Sequence, residues 1–399
     1  MKLVISSKSG SNMFRRLVGG LVLLYGLTTV LLPVFVLNKL VFIPLFFLSM
    51  YALISRPVKI FAPVLVLMIF LYGFLVGEVN GADPELARQM LLVSTSVFLI
   101  YVICAFDVDM GFTVRVIGAL FASIMCVFSF FVMLAPDSAF STFLLEFYIA
   151  NNLGFYGVRD FGGLDMFMLH HRSTPFLLVP LSMFFLDFLK SRKILPLFLV
   201  VVIVAAIICS ASRGLMVMAV VALFVLFFYH KRWGVRLIIL LVAIPLLAFI
   251  LDYLVVQTSF FNSGEQSNSI KIGHVLSFVD VADWKMLMFG NGLGSYFYTQ
   301  GYGRLVSQTE ITLLDSIRYV GIPLTTVLFV IFLFPQSKYI SSKSMSSNRL
   351  IMFMYLLVSL SNPVLFNSFG FFVILWYWSV LMSVQRPVPV CVEVRGSIE

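Results

Sequence analysis

Apolar stretches about 20 residues long recur along this chain, and that is the length an α-helix needs to cross about 30 Å of hydrocarbon. They run near 17–37, 40–54, 60–77, 89–106, 113–135, 173–189, 194–211, 214–229, 236–256, 311–334, 350–366 and 369–384. With 61% hydrophobic and only 11% charged residues, the chain lacks the polar surface of a soluble domain. The stretches are continuously apolar rather than alternating, which argues against a β-barrel. The pattern predicts an all-α, polytopic integral membrane protein, one transmembrane domain over 1–399 with about twelve spans. No A-x-A-like cleavage site follows the first stretch, which continues straight into the second, so it reads as a retained helix.

The stretch from Ile194 to Tyr229 tests the count, because its only formal charge is Arg213. As one helix it would be about 54 Å long, too long for one crossing. It must fold as a hairpin, and "SASRG" (Ser210 to Gly214) supplies the turn. With the N-terminus inside, alternation places Lys2, Lys8, Arg15, Arg16, Arg56, Lys59, Arg115, Lys190, Arg192, Lys193, Lys231, Arg232, Arg236, Lys338, Lys343, Arg349, Arg386 and Arg395 on one side. That is the positive-inside distribution, and both termini are predicted cytoplasmic. It accounts for the net charge of +9 without nucleic acid. Cys104, Cys126, Cys209 and Cys391 form no C-x-x-C or Cys/His cluster, so neither a disulfide nor a metal site is expected, and no cofactor.

Two long loops fall on the opposite side, at 136–172 and 257–310. Connections of that length are uncommon unless functional or disordered, and neither is of low complexity. In the second, Ile270, Ile272, Val275, Leu276, Phe278 and Val279 follow a roughly helical pattern, with Lys271 and His274 sharing a face. This predicts an amphipathic helix in the outer interface, against membrane lipid. Arg159, Arg172, Lys271, Lys285, Arg304 and Arg318 run against the charge bias on this side. Two readings of Arg213 stand side by side. It is an anchor that snorkels to headgroups, or a guanidinium that clamps an anion together with Ser212, Gly214 and the helix start behind it. Glu310 and Asp315 enter one span with Arg318; intramembrane ionisable residues are functional candidates, and an Asp315–Arg318 or Glu310–Arg318 salt bridge is the structural alternative. "FGNGLGSY" (Phe289–Tyr296) follows no strand and reads as a turn rather than a phosphate loop.

Several stretches in this order resemble the O-antigen polymerase (Wzy) and O-antigen ligase superfamily of bacterial envelope enzymes. They are "SASRGLMVM", "MFGNGLGSY", "TEITLLDSIRYVGIP" and "SNPVLFNSFGFFVILW". The resemblance implies a GT-C-like, multi-pass protein of the bacterial inner membrane with both long loops periplasmic. It implies substrates linked to undecaprenyl diphosphate and leaves room for a chain-length-determining membrane protein as partner. The implied reaction joins oligosaccharide repeat units. It needs cations for a diphosphate leaving group and a base for the acceptor hydroxyl. Arg213, Arg172, Arg318, Arg304, Arg159 and Lys271 fit the first need. Glu310 stands at the family's His/Glu position for the second, with His274 and Asp315 as further catalytic candidates. Ligase relatives carry histidine where this chain has Thr309–Glu310, which favours polymerase over ligase. A transporter of lipid-linked sugars is the reading from another class. Here the charges gather on one face and leave the midplanes nearly clean, which favours surface chemistry over alternating access.

Overall fold

The computed structural model describes residues 8–33, 36–55, 60–160, 165–239, 241, 245, 266–336 and 346–383. The helices are α1 (Lys8–Leu31), α2 (Val36–Ser55), α3 (Ala62–Val79), α4 (Pro84–Ser94), α5 (Leu99–Ala105), α6 (Met110–Leu134), α7 (Ala139–Ala150) and α8 (Leu178–Ser191). They continue with α9 (Ile194–Cys209), α10 (Arg213–Tyr229), α11 (Gln266–Val281), α12 (Trp284–Phe289), α13 (Thr312–Leu333), α14 (Ser346–Val358) and α15 (Ser368–Ser383). Among the described residues, 7 helices are long and apolar enough to cross a membrane, and shorter apolar helices lie at Ala139–Ala150, Ile194–Cys209, Arg213–Tyr229, Ser347–Val358 and Ser368–Ser383. Phe47, Tyr51, Val127, Phe130, Phe198 and Val201 stand exposed on these helices, as lipid-facing side chains do. The chain is a polytopic membrane protein. The stretch 236–256 lies largely outside the described residues, as do Lys2, Arg56, Lys59, Lys338, Lys343, Arg386, Cys391 and Arg395.

Helix α15 forms the centre. Phe371, Trp376, Tyr377 and Trp378 are all buried, so this helix is covered on every side, as a helix apolar all round must be in a bundle. Two of its three polar aromatics find carbonyl acceptors, Tyr377 on Leu333 (2.9 Å) and Trp378 on Phe332 (3.2 Å), which pins it to the end of α13. Pro84 to Ala105 is a single span with a tightened middle. Ser94 and Thr95 return their hydroxyls to the carbonyls of Leu91 and Leu92, and the chain takes a 3₁₀ turn over Thr95–Phe98.

The all-α expectation needs correcting in both long loops. The first contains α7 and an antiparallel hairpin, β1 (Gly154–Asp160) against β2 (Asp165–His171), with Tyr156 opposite Leu169. The second contains α11, α12 and a smaller hairpin, β3 (Phe297–Thr299) against β4 (Arg304–Val306). In both, aromatic and branched residues suit a pleated backbone. At the far end of the bundle Arg115 pairs with Asp187 (2.8 Å) and Arg15 with Asp107 (3.3 Å), so basic residues of α1 and α6 gather there with the ends of α5 and α8.

Candidate functional site

The site is built where the second long loop meets α13. Gly321 takes φ 77° and Pro323 follows it inside the helix. Proline has no N–H to return to Tyr319, so that carbonyl is free for another donor. The loop supplies one: Gly292 N–H donates to the Tyr319 carbonyl (3.0 Å), and Asn291 N–H donates to that of Arg318 (2.7 Å). Gly292 has φ 92°, and a Cβ there would lie 2.0 Å from Gly77 N. Only glycine lets this turn lie on the backbone of α3. The "GNGLGS" stretch is therefore a structural wedge between α3 and α13.

Asp315 and Arg318 lock the same loop. Their salt bridge measures 2.9 Å, and Arg318 is 1% exposed. Arg318 also donates to the carbonyl of Ser295 and to that of Ser307 (2.7 Å), and lies over the rings of Phe297 (4.4 Å) and Tyr319 (4.8 Å). The second oxygen of Asp315 accepts from the Thr309 amide (2.8 Å) and hydroxyl (3.1 Å). The structure thus places these two candidates in the interior, tying both ends of the β3–β4 hairpin to α13. This is the salt bridge weighed as their structural alternative.

Beside this clamp, four side chains form a chain of contacts. His274 on α11 is fully buried. Its Nδ1 lies 2.6 Å from Thr299 Oγ1, which also accepts from Gly301 N–H (3.2 Å), so the threonine has its own proton to give to the imidazole. His274 Nε2 has no hydrogen-bond partner among the described residues. The ring meets Tyr302 edge-on at 4.7 Å, and the Tyr302 hydroxyl donates to Glu310 Oε1 (3.1 Å). Burial, and then Lys271, lower the His274 pKa to about 4, so the ring is neutral at pH 7 and a weak base. Burial and the Glu310 charge push the Tyr302 phenol up, so it keeps its proton. Arg304 is exposed, its guanidinium 5.8 Å from the Tyr302 ring.

A cationic group stands next to it, built on the first long loop. The β1–β2 hairpin covers the turn between α9 and α10, where Arg159 donates to the Ala211 carbonyl (3.0 Å) and His170 hydrogen-bonds the Ser210 backbone. Ala211 takes the left-handed position (φ 46°), so the turn falls within the "SASRG" stretch, with Gly214 already inside α10. Arg213 opens α10, behind Ser212, and is only 7% exposed. Protein covers most of it, which leaves little of the side chain to snorkel to headgroups. Burial, then the charges of Arg159 and Lys271, lower the His170 pKa to about 4. Lys271 thus acts on both His170 and His274, and it joins the two loops in one electrostatic neighbourhood. A second link runs through the break before α15: Thr312 at the start of α13 donates to the Asn362 carbonyl (2.9 Å), and Ser361 and Asn362 face Gly214. Arg172 lies apart from this centre, exposed and donating to Asn152.

Sequence reasoning passed over Tyr302, Thr299 and His170's place above the Ser210 turn. A lone tyrosine carries no motif; its one signal is its position eight residues before Glu310 in a glycine-flanked loop. No protein-family model matches the chain, and no solved structure matches it. A curated protein named O-antigen polymerase, from Shigella flexneri, is 27% identical over 184 residues, 45% of this chain and 46% of that protein. The match spans about half the length of each, and it makes the O-antigen polymerase of Shigella flexneri a distant homologue of this chain.

Proposed function

We propose that this protein is a glycan polymerase of the bacterial inner membrane, joining oligosaccharide repeat units carried on undecaprenyl diphosphate. About twelve spans, both termini cytoplasmic and both long loops periplasmic complete this reading, in a GT-C-like arrangement. The observation that carries it is the juxtaposition, at one end of the bundle, of a carboxylate held by a phenol (Glu310 and Tyr302, 3.1 Å) and a cationic group around Lys271. Glycosyl transfer from a lipid diphosphate needs those two parts and no nucleotide sugar. Glu310 takes the proton of an acceptor hydroxyl, whose oxygen bonds to the anomeric carbon of the donor glycan. The bond from that carbon to the diphosphate breaks, and the diphosphate leaves with the electron pair. Arg213, Lys271 and Arg159 stabilise that charge, with the first amides of α10 beside them. Membrane lipids surround the spans, and a chain-length-determining membrane protein is the expected partner. The distant similarity to a protein named O-antigen polymerase supports the same reading.

Deleting the gene tests it, with Glu310→Gln as the companion. The deletion strain should accumulate single repeat units, and Glu310→Gln at wild-type protein level should do the same, with about a hundredfold or greater loss of polymer. Full-length polymer stranded on its lipid carrier would make the protein a ligase. Failure of the repeat unit to reach the outer leaflet would make it a transporter.

A further inference from the structure

A cleft of about 520 Å³ opens between the first turn of α4 and the β3–β4 hairpin. Its walls include Asp83, Glu85, Gln89, Tyr296, Tyr302 and Gln308. The cleft is an open groove rather than an enclosed cavity, a shape that suits an extended ligand. Its frame is built to stay put. Asp83 caps α4 by accepting from Glu85 and Leu86 N–H (both 3.1 Å), and its other oxygen accepts from Ser307 (3.3 Å) on the opposite wall. Arg318 holds both Ser295 and Ser307, the residues that flank the hairpin. Gln89 donates to Glu85 (3.3 Å), which orients an amide and a carboxylate on an exposed face.

We infer that this cleft is the acceptor subsite, and that it takes an uncharged stretch of glycan. The inference rests on the proposed polymerase reading for its substrate class and on the cleft for everything else. Planar amides and carboxylates can each engage two neighbouring hydroxyls. The rings of Tyr296 and Tyr302 offer flat apolar surface to the C–H faces of a pyranose. Carboxylates of Asp83 and Glu85 outnumber the single guanidinium of Arg304, so the cleft disfavours an anion, whether a diphosphate or a uronic acid. The cationic group around Arg213 and Lys271 has the opposite sign. The two sides therefore sort a substrate by its parts, lipid diphosphate to one and neutral sugar to the other. Tyr302 joins the cleft to the chemistry: it lines the wall, and its hydroxyl holds Glu310. A sugar stacked on that ring brings a hydroxyl toward the carboxylate. Tyr302 is thus a specificity and positioning residue as well as part of the wall.

The test uses the detergent-purified full chain and a probe in two forms, native and oxidised. That probe is the reducing oligosaccharide released by mild acid from the lipid-linked single repeats that the deletion strain accumulates. Calorimetry or saturation-transfer NMR should show binding to the wild-type protein. Tyr296→Ala and Tyr302→Ala should each raise Kd about tenfold or more, the loss of one buried aromatic contact. Tyr302→Phe keeps the ring and should keep binding within about twofold while polymer yield drops, because Glu310 has lost its donor. The same oligosaccharide oxidised to carboxylates at its primary hydroxyls should bind weakly to wild type and recover on Glu85→Gln. Unchanged affinity in Tyr296→Ala and Tyr302→Ala proteins that melt like wild type would overturn the subsite. So would no binding to wild type, or tighter binding of the oxidised probe. Failure of the polymerase reading looks different: the deletion strain would then strand full-length polymer on its lipid carrier or fail to bring the repeat unit to the outer leaflet, whatever the cleft binds.

Discussion

His171 and His274 are both buried beneath a long loop at the same end of the bundle, and both are held neutral, yet their surroundings differ in one respect. His171 is saturated. Its Nδ1 accepts from Ser173 N–H (3.0 Å), its Nε2 lies 3.3 Å from the Leu31 carbonyl, and Phe121 meets its ring at 4.9 Å. It fastens the β1–β2 hairpin to the end of α1. His274 has Thr299 on one nitrogen and no partner on the other among the described residues. A buried polar atom left unmatched costs about 1–3 kcal/mol, and His274 Nε2 is one of several among the described residues, with Thr29 Oγ1 and Trp376 Nε1 in the bundle. A histidine in an outer loop is therefore a poor guide to chemistry by itself. Unfilled hydrogen-bonding capacity next to a carboxylate and a phenol is a better one.

The largest effect should come from the closed part of the second loop. Arg318→Met leaves Asp315 buried without its counter-charge and frees the carbonyls of Ser295 and Ser307. Breaking a buried pair on one side costs about 3–5 kcal/mol. The protein should melt markedly lower, and limited proteolysis should cut within 295–309. Adding Asp315→Leu should restore part of the loss, since two apolar groups replace the pair. If Arg318→Met melts like wild type and loses only polymer, Arg318 belongs with the substrate after all.

His171→Ala and His274→Ala test the comparison directly. The first removes two hydrogen bonds and a packed ring, so about 2–4 kcal/mol of stability should go. The second removes one hydrogen bond together with an unmatched atom, so its melting temperature should move less while polymer yield falls strongly. Thermal melts of both proteins in one detergent, beside polymer gels from the same strains, give the answer. A reversed pattern would make His274 the structural residue.

Acid should separate the regions more gently. An ordinary histidine titrates near 6.5. Burial lowers His171 to about 3 and His274 to about 4, so between those values and 6.5 the unfolded chain binds protons that the folded chain does not. Stability is then level above about pH 6.5 and declines as pH falls below it, by up to about 1.4 kcal/mol per pH unit for each such group. The decline from His274 ends near pH 4 and that from His171 nearer pH 3. His171→Gln should flatten the melting-temperature profile below pH 6.5; an unchanged slope would mean that the ring is reached by water and carries its charge.

The spans were legible because a membrane helix writes its length into the sequence as unbroken apolar residues. Every predicted stretch apart from 236–256 contains a helix among the described residues, although that of 350–366 is helical only as far as Val358 and that of 89–106 is broken by a 3₁₀ turn. A helix was legible at α11, but its apolar residues do not gather on one buried face: Ile272, Val275, Leu276 and Val279 stand exposed while His274 and Ser277 are buried. The β1–β2 hairpin was not legible. Its residues are aromatic and glycine-rich, and such a short sequence reads equally well as an ordered loop. The clamp joins Arg318 to Asp315 and to carbonyls 11 and 23 positions upstream of the arginine, and carbonyls carry no side-chain signal. Tyr302 escaped because its meaning depends on two partners, one on each side in sequence.

The smallest predicted effect falls on the seam between the two loop regions. Gly214 was expected to shape the turn, but Ala211 does that, and Gly214 sits in the first turn of α10. A Cβ there would meet Ser361 Oγ at 3.4 Å and Asn362 Nδ2 at 3.9 Å, ordinary contacts. By structure alone Gly214→Ala should therefore be accepted. It should even raise stability by about 0.5–1 kcal/mol, because glycine in a helix gives up more backbone freedom on folding than alanine. The diphosphate reading makes the opposite demand on function. If a phosphate lies against the first amides of α10, an added methyl stands between Arg213 and the Asn362 break where the substrate passes. The variant should then melt slightly higher and polymerise several-fold more slowly, a split that a purely structural glycine cannot give. Gain of stability with wild-type polymer yield would move the diphosphate away from α10, toward Lys271 and the His274 side of the seam.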